Sequence, residues 1–240
     1  MSDETPQQLL DTKDCEQKPK VEEIVFLTEK QDAFLEFDVL PSDLDSYARD
    51  NFGKIFSLHP KERGTIAMMG KDLVSPRWHK SYLSTPKFSG KFAYKSYMFS
   101  NSVENDVNGP LPDLLQPFLY YMNGMGYEFN QVVVNWYADG LDFIAAHSDC
   151  EVGIDKDCPI AIISLGGDLG EELRILKFKP KATTKDSIYD LVEFPCKHGS
   201  IVFMHGSTQE KFRHGVPKAS HKSAASRRIS ITFRKYKEAE

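Results

Sequence analysis

Cysteine, long apolar runs, internal repeats and excess positive charge are all scarce in this sequence, and each scarcity excludes something. Four cysteines in 240 residues, Cys15, Cys150, Cys158 and Cys196, are too few for a disulfide-stapled scaffold. No early segment couples a charged start to an apolar core as a secretory signal does. A reducing, intracellular setting follows as the expectation, in nucleus or cytoplasm. No apolar run approaches the roughly 20 residues that a membrane-crossing helix needs, so no membrane partner is expected, and the protein is read as a monomer. No repeat is present, and the glycines of SLGGDLG lack the spacing of a dinucleotide or phosphate-binding loop, so they read as turns. The net charge of −5 argues at first sight against a nucleic-acid partner.

The distribution of charge reverses that last exclusion. Residues 1–50 hold 14 Asp/Glu against 5 Lys/Arg, which leaves the remainder of the chain net basic. Two segments carry most of the excess: 71–95 has six Lys/Arg and one Asp, and 211–237 has nine Lys/Arg and no acid. Residues 1–20 mix acids, Lys, Gln and Pro with few apolar positions and read as a disordered acidic tail. With 40% hydrophobic residues, the stretch 21–240 is long enough to build a single domain around its own core.

Within that domain, Leu35, Phe37 and Val39 alternate on one face of an extended segment. Ser42 then opens a helix carrying Leu44, Tyr47, Ala48 and Phe52, and a second helix is expected over 113–123, started or kinked by Pro117. From 129 onward short runs rich in Val, Ile, Phe and Tyr follow one another between turn residues: FNQVVVNWY, IAIISL, LRILKF, SIYDLVEF, SIVFM and RISITFR. That spacing predicts a mostly β protein with flanking helices, folded as a sandwich or jelly roll. KFRHGVPK, just before the last run, reads as a turn-forming stretch.

Three of these segments bear polar chemistry. In FIAAHSDCE, His147 and Asp149 are two apart, which on an extended chain turns imidazole and carboxylate to one side. A third ligand would complete a metal site, with His198, His205, His214 and His221 as candidates. In RISITFR the period of two sets Arg228, Ser230, Thr232 and Arg234 on one face and Ile229, Ile231 and Phe233 on the other. Two such guanidiniums can grip a short dicarboxylate, although two arginines on a solvated edge strand would look the same. In FNQVVVNWY, Asn135 and Tyr137 share a face with Val133, ten residues before the His-x-Asp pair.

Taken together, NWYADGLDFIAAHSD, HGVP and RISITFR resemble the AlkB family of Fe(II)- and 2-oxoglutarate-dependent dioxygenases, over roughly 65–237. The resemblance implies a double-stranded β-helix core, with His147, Asp149 and His214 as iron ligands. It assigns Arg228 and Arg234 to the carboxylates of 2-oxoglutarate, assisted by Asn135, Tyr137, Ser230 and Thr232. The family's last strand usually carries Asn where this chain has Ser230, so rewired co-substrate contacts are expected there. Two imidazoles and a carboxylate leave open coordination positions, as non-haem Fe(II) oxygenases require. A zinc site using Cys150 and Cys158 is the alternative, and it leaves the arginine strand without a role.

Upstream, MMGKDLVSPRWHKSYL and SYMFSN resemble the nucleotide-recognition region of the branch that repairs duplex DNA, placed at about 65–100. By that resemblance Met69 is a wedge between bases, Tyr97 and Phe99 line a base pocket, Glu151 approaches the base, and Arg77 with neighbouring lysines neutralises phosphates. The function implied is oxidative dealkylation of adducts such as 1-methyladenine and 3-methylcytosine in DNA or RNA, with Fe(II), 2-oxoglutarate and O2. Alternatives are demethylation of RNA N6-methyladenosine, protein hydroxylation on the same core, and a catalytically silent nucleic-acid-binding module.

Overall fold

A computed structural model describes residues 23–68, 71–83, 109–149, 151, 153–167 and 172–237. The acidic tail at 1–20, the wedge residue Met69 and the base-pocket pair Tyr97 and Phe99 lie outside the described residues, as do Lys87, Lys91 and Lys95.

Two sheets form the body. The larger has eight strands in the order β1 (Glu23–Phe26), β2 (Ala33–Val39), β12 (Ser200–Gly206), β9 (Ile160–Gly166), β14 (Arg228–Arg234), β7 (Gln131–Tyr137), β5 (Trp78–Leu83) and β6 (Gly109–Pro110). The smaller has four, β11 (Val192–Pro195), β10 (Ile175–Pro180), β13 (Phe212–Val216) and β8 (Ile144–His147). A separate hairpin pairs β3 (Thr65–Met68) with β4 (Lys71–Val74). From β7 onward the chain passes back and forth between the sheets, with antiparallel neighbours throughout, which is the winding of a jelly roll.

Alternation within strands sorts side chains into two cores. Val132, Val134 and Trp136 of β7 and Ile229, Ile231 and Phe233 of β14 face outward, under helices α1 (Ser42–Phe56) and α2 (Gln116–Gly124). The helices bury Leu44, Ala48, Ile55, Phe118 and Met122 against that face, and Trp136 Nε1 donates to the Ile55 carbonyl at 3.0 Å. The second core lies between the sheets, where Ile160, Ile162, Val202 and Met204 of the large sheet meet Leu176, Phe178, Phe212 and Val216 of the small one. The opposite face of β14 looks into this same space, so its arginines and hydroxyls line one end of an otherwise apolar sandwich.

Several local expectations change. The helix expected over 113–123 is a 3-10 turn at Asp113–Leu115 followed by α2, and Pro117 sits in its first turn, where a missing N–H has no partner to lose. SIYDLVEF yields strand only from Val192, after an isolated bridge between Ser187 and Thr28. KFRHGVPK is not a loop but contains strand β13, paired on both sides. RISITFR is no solvated edge, because β14 runs between β9 and β7 and every residue in it is buried. No helix among the described residues is long and apolar enough to cross a membrane.

Candidate metal and co-substrate site

The small sheet carries both imidazoles. His147 closes β8, His214 lies directly opposite it on β13, and the ring centroids are 4.5 Å apart. That pairing needs close backbone approach. A Cβ on Gly215 would come within 2.8 Å of the Ile144 carbonyl oxygen and 2.9 Å of the Ala146 nitrogen, so a side chain there would drive β13 off β8. The register is bulged between His214 and Val216, and such irregularities re-aim side chains beside functional sites. His147 Nδ1 lies 2.9 Å from the Ala145 carbonyl, which can only accept, so Nδ1 carries the proton and Nε2 offers its lone pair.

Asp149 follows on the loop after β8 and is 7% exposed. Ser148 Oγ donates to the Phe212 carbonyl at 2.7 Å and ties this loop to β13. Asp149 Oδ1 accepts from Arg234 Nη2 at 2.7 Å and lies 3.6 Å from His147 Nε2, whereas the buried Oδ2 has no hydrogen-bond partner among the described residues. Burial alone would raise this carboxyl, but Arg234 and the two imidazoles outweigh it and hold Asp149 well below the usual carboxylate range. Burial, the neighbouring His147 and Arg234 push His214 down to about 3, against the pull of Asp149, so it is a neutral donor at physiological pH. One ligand atom from each of His147, Asp149 and His214 lies within 4.8 Å of the others. Two imidazoles, with His147 Nε2 turned to Asp149, and an ionised carboxylate with an unpartnered oxygen fit a divalent metal, and as a three-donor set they suit Fe(II) better than a four-ligand structural zinc.

The large sheet supplies the other half. Across β14, Arg228 faces Tyr137 and Gly166, Ser230 faces Asn135 and Ser164, and Arg234 faces Gln131. Arg228 is 1% exposed; Nη2 donates to Ser164 Oγ at 2.9 Å, and its guanidinium carbon stands 5.1 Å from the Tyr137 ring centroid. Its Nε and Nη1 are buried and find no hydrogen-bond partner among the described residues. A buried cation with two orphaned donors is strongly disfavoured unless an anion completes it. Arg174 approaches the same Tyr137 ring at 5.6 Å, but its donors are taken by the carbonyls of Asp139, Asp142 and Pro217. The two buried guanidiniums make this end of the sandwich positive, which suits a carboxylate such as one end of 2-oxoglutarate.

The sequence-derived residues thus divide. His147, Asp149 and His214 come together, Arg234 joins them through Asp149, and Arg228, Ser230 and Thr232 share its strand face on β14, with Asn135 and Tyr137 paired beside them on β7. Arg234 is engaged by Asp149 through Nη2 and by Gln131 Oε1 at 3.4 Å through Nη1, whereas two donors of Arg228, Nε and Nη1, find no hydrogen-bond partner among the described residues. Arg77, read as a phosphate-facing cation, is 3% exposed, and its Nε donates to Asn135 Oδ1 at 2.7 Å. It acts beneath the site by fixing Asn135, not at the surface. Glu151 is half-buried, two residues past Asp149, and 3.5 Å from Lys156 Nζ. The C-terminal basic run is also less available than its composition implies, since Lys211 pairs with Asp32 and Asp186, and Lys235 with Glu128 and Asp155. His205 belongs elsewhere: it stacks on Phe34 with centroids 4.6 Å apart and lies 3.1 Å from Glu36.

Sequence reasoning missed Ser164, Arg174 and Gln209. Ser164 had a faint signal, a lone hydroxyl in the apolar run IAIISL. Arg174 and Gln209 had none, because their partners are backbone atoms distant in sequence.

Comparison with known proteins adds the following. The model of the 2OG-Fe(II) oxygenase superfamily matches residues 63–234. The rat alpha-ketoglutarate-dependent dioxygenase alkB homolog 3 is 37% identical over 111 residues, 45% of this chain and 36% of that protein. The DNA oxidative demethylase ALKBH2 of Arabidopsis thaliana is 28% identical over 188 residues, covering 73% of this chain and 58% of the relative. Human ALKBH2 is 28% identical over 165 residues, covering 68% and 59%. The chain therefore spans between about a third and three-fifths of the length of these relatives.

Proposed function

Since this chain belongs to the 2OG-Fe(II) oxygenase superfamily, with relatives of the AlkB type, we propose that it oxidatively removes methyl and other small alkyl groups from nucleobase nitrogens in DNA or RNA. The observation that carries the reading is the His147, Asp149 and His214 donor set together with the buried, unpartnered donors of Arg228, which shares the inward face of β14 with the Arg234 that holds Asp149. A binding-only module has no use for that combination, and burying it unfilled would weaken the fold.

In this reading His147 Nε2, Asp149 and His214 hold the metal, and Arg228 receives one carboxylate of 2-oxoglutarate through its Nε and Nη1 donors. Ser164 and the Tyr137 ring fix the Arg228 guanidinium so that little freedom is lost on binding. Asn135, held by Arg77, sits across from Ser230, where its amide can assist in binding the co-substrate. Arg234 neutralises Asp149 without occupying Oδ2. Fe(II), with O2 and 2-oxoglutarate, supplies the oxidation that turns the alkyl carbon into a hydroxyalkyl group, which leaves as an aldehyde while the co-substrate ends as succinate and CO2. The protein's part is to position that carbon and keep bulk water from the open coordination positions. Met69, Tyr97, Phe99 and Glu151 are the residues proposed to extract and hold the base.

The test is turnover on 1-methyladenine and 3-methylcytosine placed in single-stranded and duplex oligonucleotides, with Met69→Ala alongside. Wild-type protein is expected to release succinate and the unmodified base, and Met69→Ala to lose more on duplex than on single strands. Equal loss on both removes the wedge, and succinate with no nucleic acid but with a protein or N6-methyladenosine substrate moves the function to that alternative.

A further inference from the structure

The segment from Thr208 to His214 supplies one metal ligand and, by its contacts, governs another. Its first turn, α3 (Thr208–Lys211), is fixed from several directions. Thr208 Oγ1 donates to the His205 carbonyl at 2.6 Å, and Ser207 N donates to the Asp32 carbonyl at 2.8 Å. Lys181 Nζ donates to the Gln209 carbonyl at 2.9 Å, and Lys211 is anchored by Asp32 and Asp186. From this braced turn the Gln209 side chain, 5% exposed, crosses to the loop after β8. Its Oε1 accepts from the Asp149 backbone N–H at 2.9 Å, while Nε2 rests 3.1 Å from Met204 Sδ. The weak sulfur acceptor leaves the amide free to keep its oxygen toward Asp149, since the reverse orientation would set an N–H against an N–H.

We propose that Gln209 is a positioning residue for the metal: by pinning the Asp149 backbone it sets where the unpartnered Oδ2 stands relative to His147 and His214. The inference rests on the metal-site reading above and deepens it. Among the described residues, the other side-chain hydrogen bonds that restrain the loop at this point are Ser148 Oγ on the Phe212 carbonyl and Arg234 on Oδ1. Arg234 holds Oδ1, the oxygen 3.6 Å from His147 Nε2, so without Gln209 the carboxylate can pivot about that contact and shift Oδ2 relative to the imidazoles. Groups that orient ligands without touching the metal typically change metal affinity or activity by about 10–100-fold.

The experiment is Co(II) titration of the full chain, followed by its visible d–d absorption, for wild type, Gln209→Met and Gln209→Glu, with melting of the metal-free proteins in parallel. Met fills the same space without an acceptor, and Glu restores an acceptor oxygen at the same reach. Gln209→Met is expected to bind Co(II) roughly tenfold or more weakly, with an altered d–d band. Gln209→Glu should return to within about threefold of wild type and recover the band. A Gln209→Met protein that binds Co(II) like wild type, or that only melts lower with its spectrum unchanged, overturns the proposal, as does equal loss in both variants. Failure of the wild-type chain to bind Co(II) at all would instead overturn the metal site itself, and the positioning role with it.

Discussion

Arg234→Met isolates the electrostatic logic of the site. Arg234 Nη2 and Asp149 Oδ1 are 2.7 Å apart, with side chains 5% and 2% exposed. Deleting the cation while filling its volume leaves a buried carboxylate uncompensated, and breaking a buried pair this way typically costs about 3–5 kcal/mol. For a domain of this size, about 2–4 °C of melting temperature is lost per kcal/mol, so the metal-free variant should melt roughly 6–20 °C lower near pH 7. The pH dependence separates charge from packing. In the wild type the Asp149 pKa is depressed, so its stabilising contribution is present above the unfolded pKa and is lost only as pH falls through the folded value. Without Arg234 the opposing influence of burial dominates and the folded pKa moves up, so the penalty lies at neutral pH and fades as acid protonates the carboxyl. His214, pushed down by burial, by His147 and by Arg234, weakens both proteins as pH falls below its unfolded value, but less so in the variant, which lacks the Arg234 contribution, and this narrows the gap toward acid in the same direction. Thermal melts of both metal-free proteins between about pH 5 and 8 should show the gap narrowing toward acid. Saturating Co(II) should narrow it too, because a dication replaces the lost positive charge. A gap independent of both pH and metal would refute the argument and leave only lost packing.

Other expectations follow from single contacts. Arg228→Lys keeps charge but loses the Nε and Nη1 fork, so KM for 2-oxoglutarate should rise roughly 10- to 150-fold at about 1.5–3 kcal/mol for hydrogen bonds to a charged group; Co(II) affinity measured by titration should hardly change. Asp142 accepts both Arg63 guanidinium nitrogens, at 2.7 and 2.8 Å, and the Ala138 N–H at 2.7 Å, so Asp142→Ala should destabilise the fold by about 3 kcal/mol in urea titration. His214→Ala should abolish turnover, whereas His205→Ala, altering a side chain stacked on Phe34 beside Glu36, should leave it; the reverse pattern would reassign the third ligand.

What could be read in advance depended on whether the signal was local. The polar face of β14 was legible because Arg228, Ser230, Thr232 and Arg234 alternate strictly with Ile229, Ile231 and Phe233. That the strand is central was not, since its burial comes from β9 and β7 and from no property of its own residues. His147 and Asp149 announce themselves two apart. His214 instead followed from the AlkB likeness, and Gly215 and Pro217 made its strand look like a turn. Gly215 is there because β8 approaches too closely for a side chain. Arg77 misled for a related reason: a cation in a basic stretch reads as surface, and only the Asn135 amide, 58 residues away, shows why it is buried. Gln209 offered no pattern at all, being one polar residue in a four-residue turn whose partner lies 60 residues earlier.

The most direct test of the central claim is a single stoichiometry. Purified protein with Fe(II), 2-oxoglutarate and O2 is given an oligonucleotide bearing 3-methylcytosine, and succinate, formaldehyde and restored cytosine are measured together, with His147→Ala as control. The site described here predicts that the three products form in equal amounts and vanish in the control. Formaldehyde and cytosine absent from protein shown to bind Fe(II) and 2-oxoglutarate would contradict the proposed substrate, and turnover undiminished in His147→Ala would contradict the metal site on which the whole account rests.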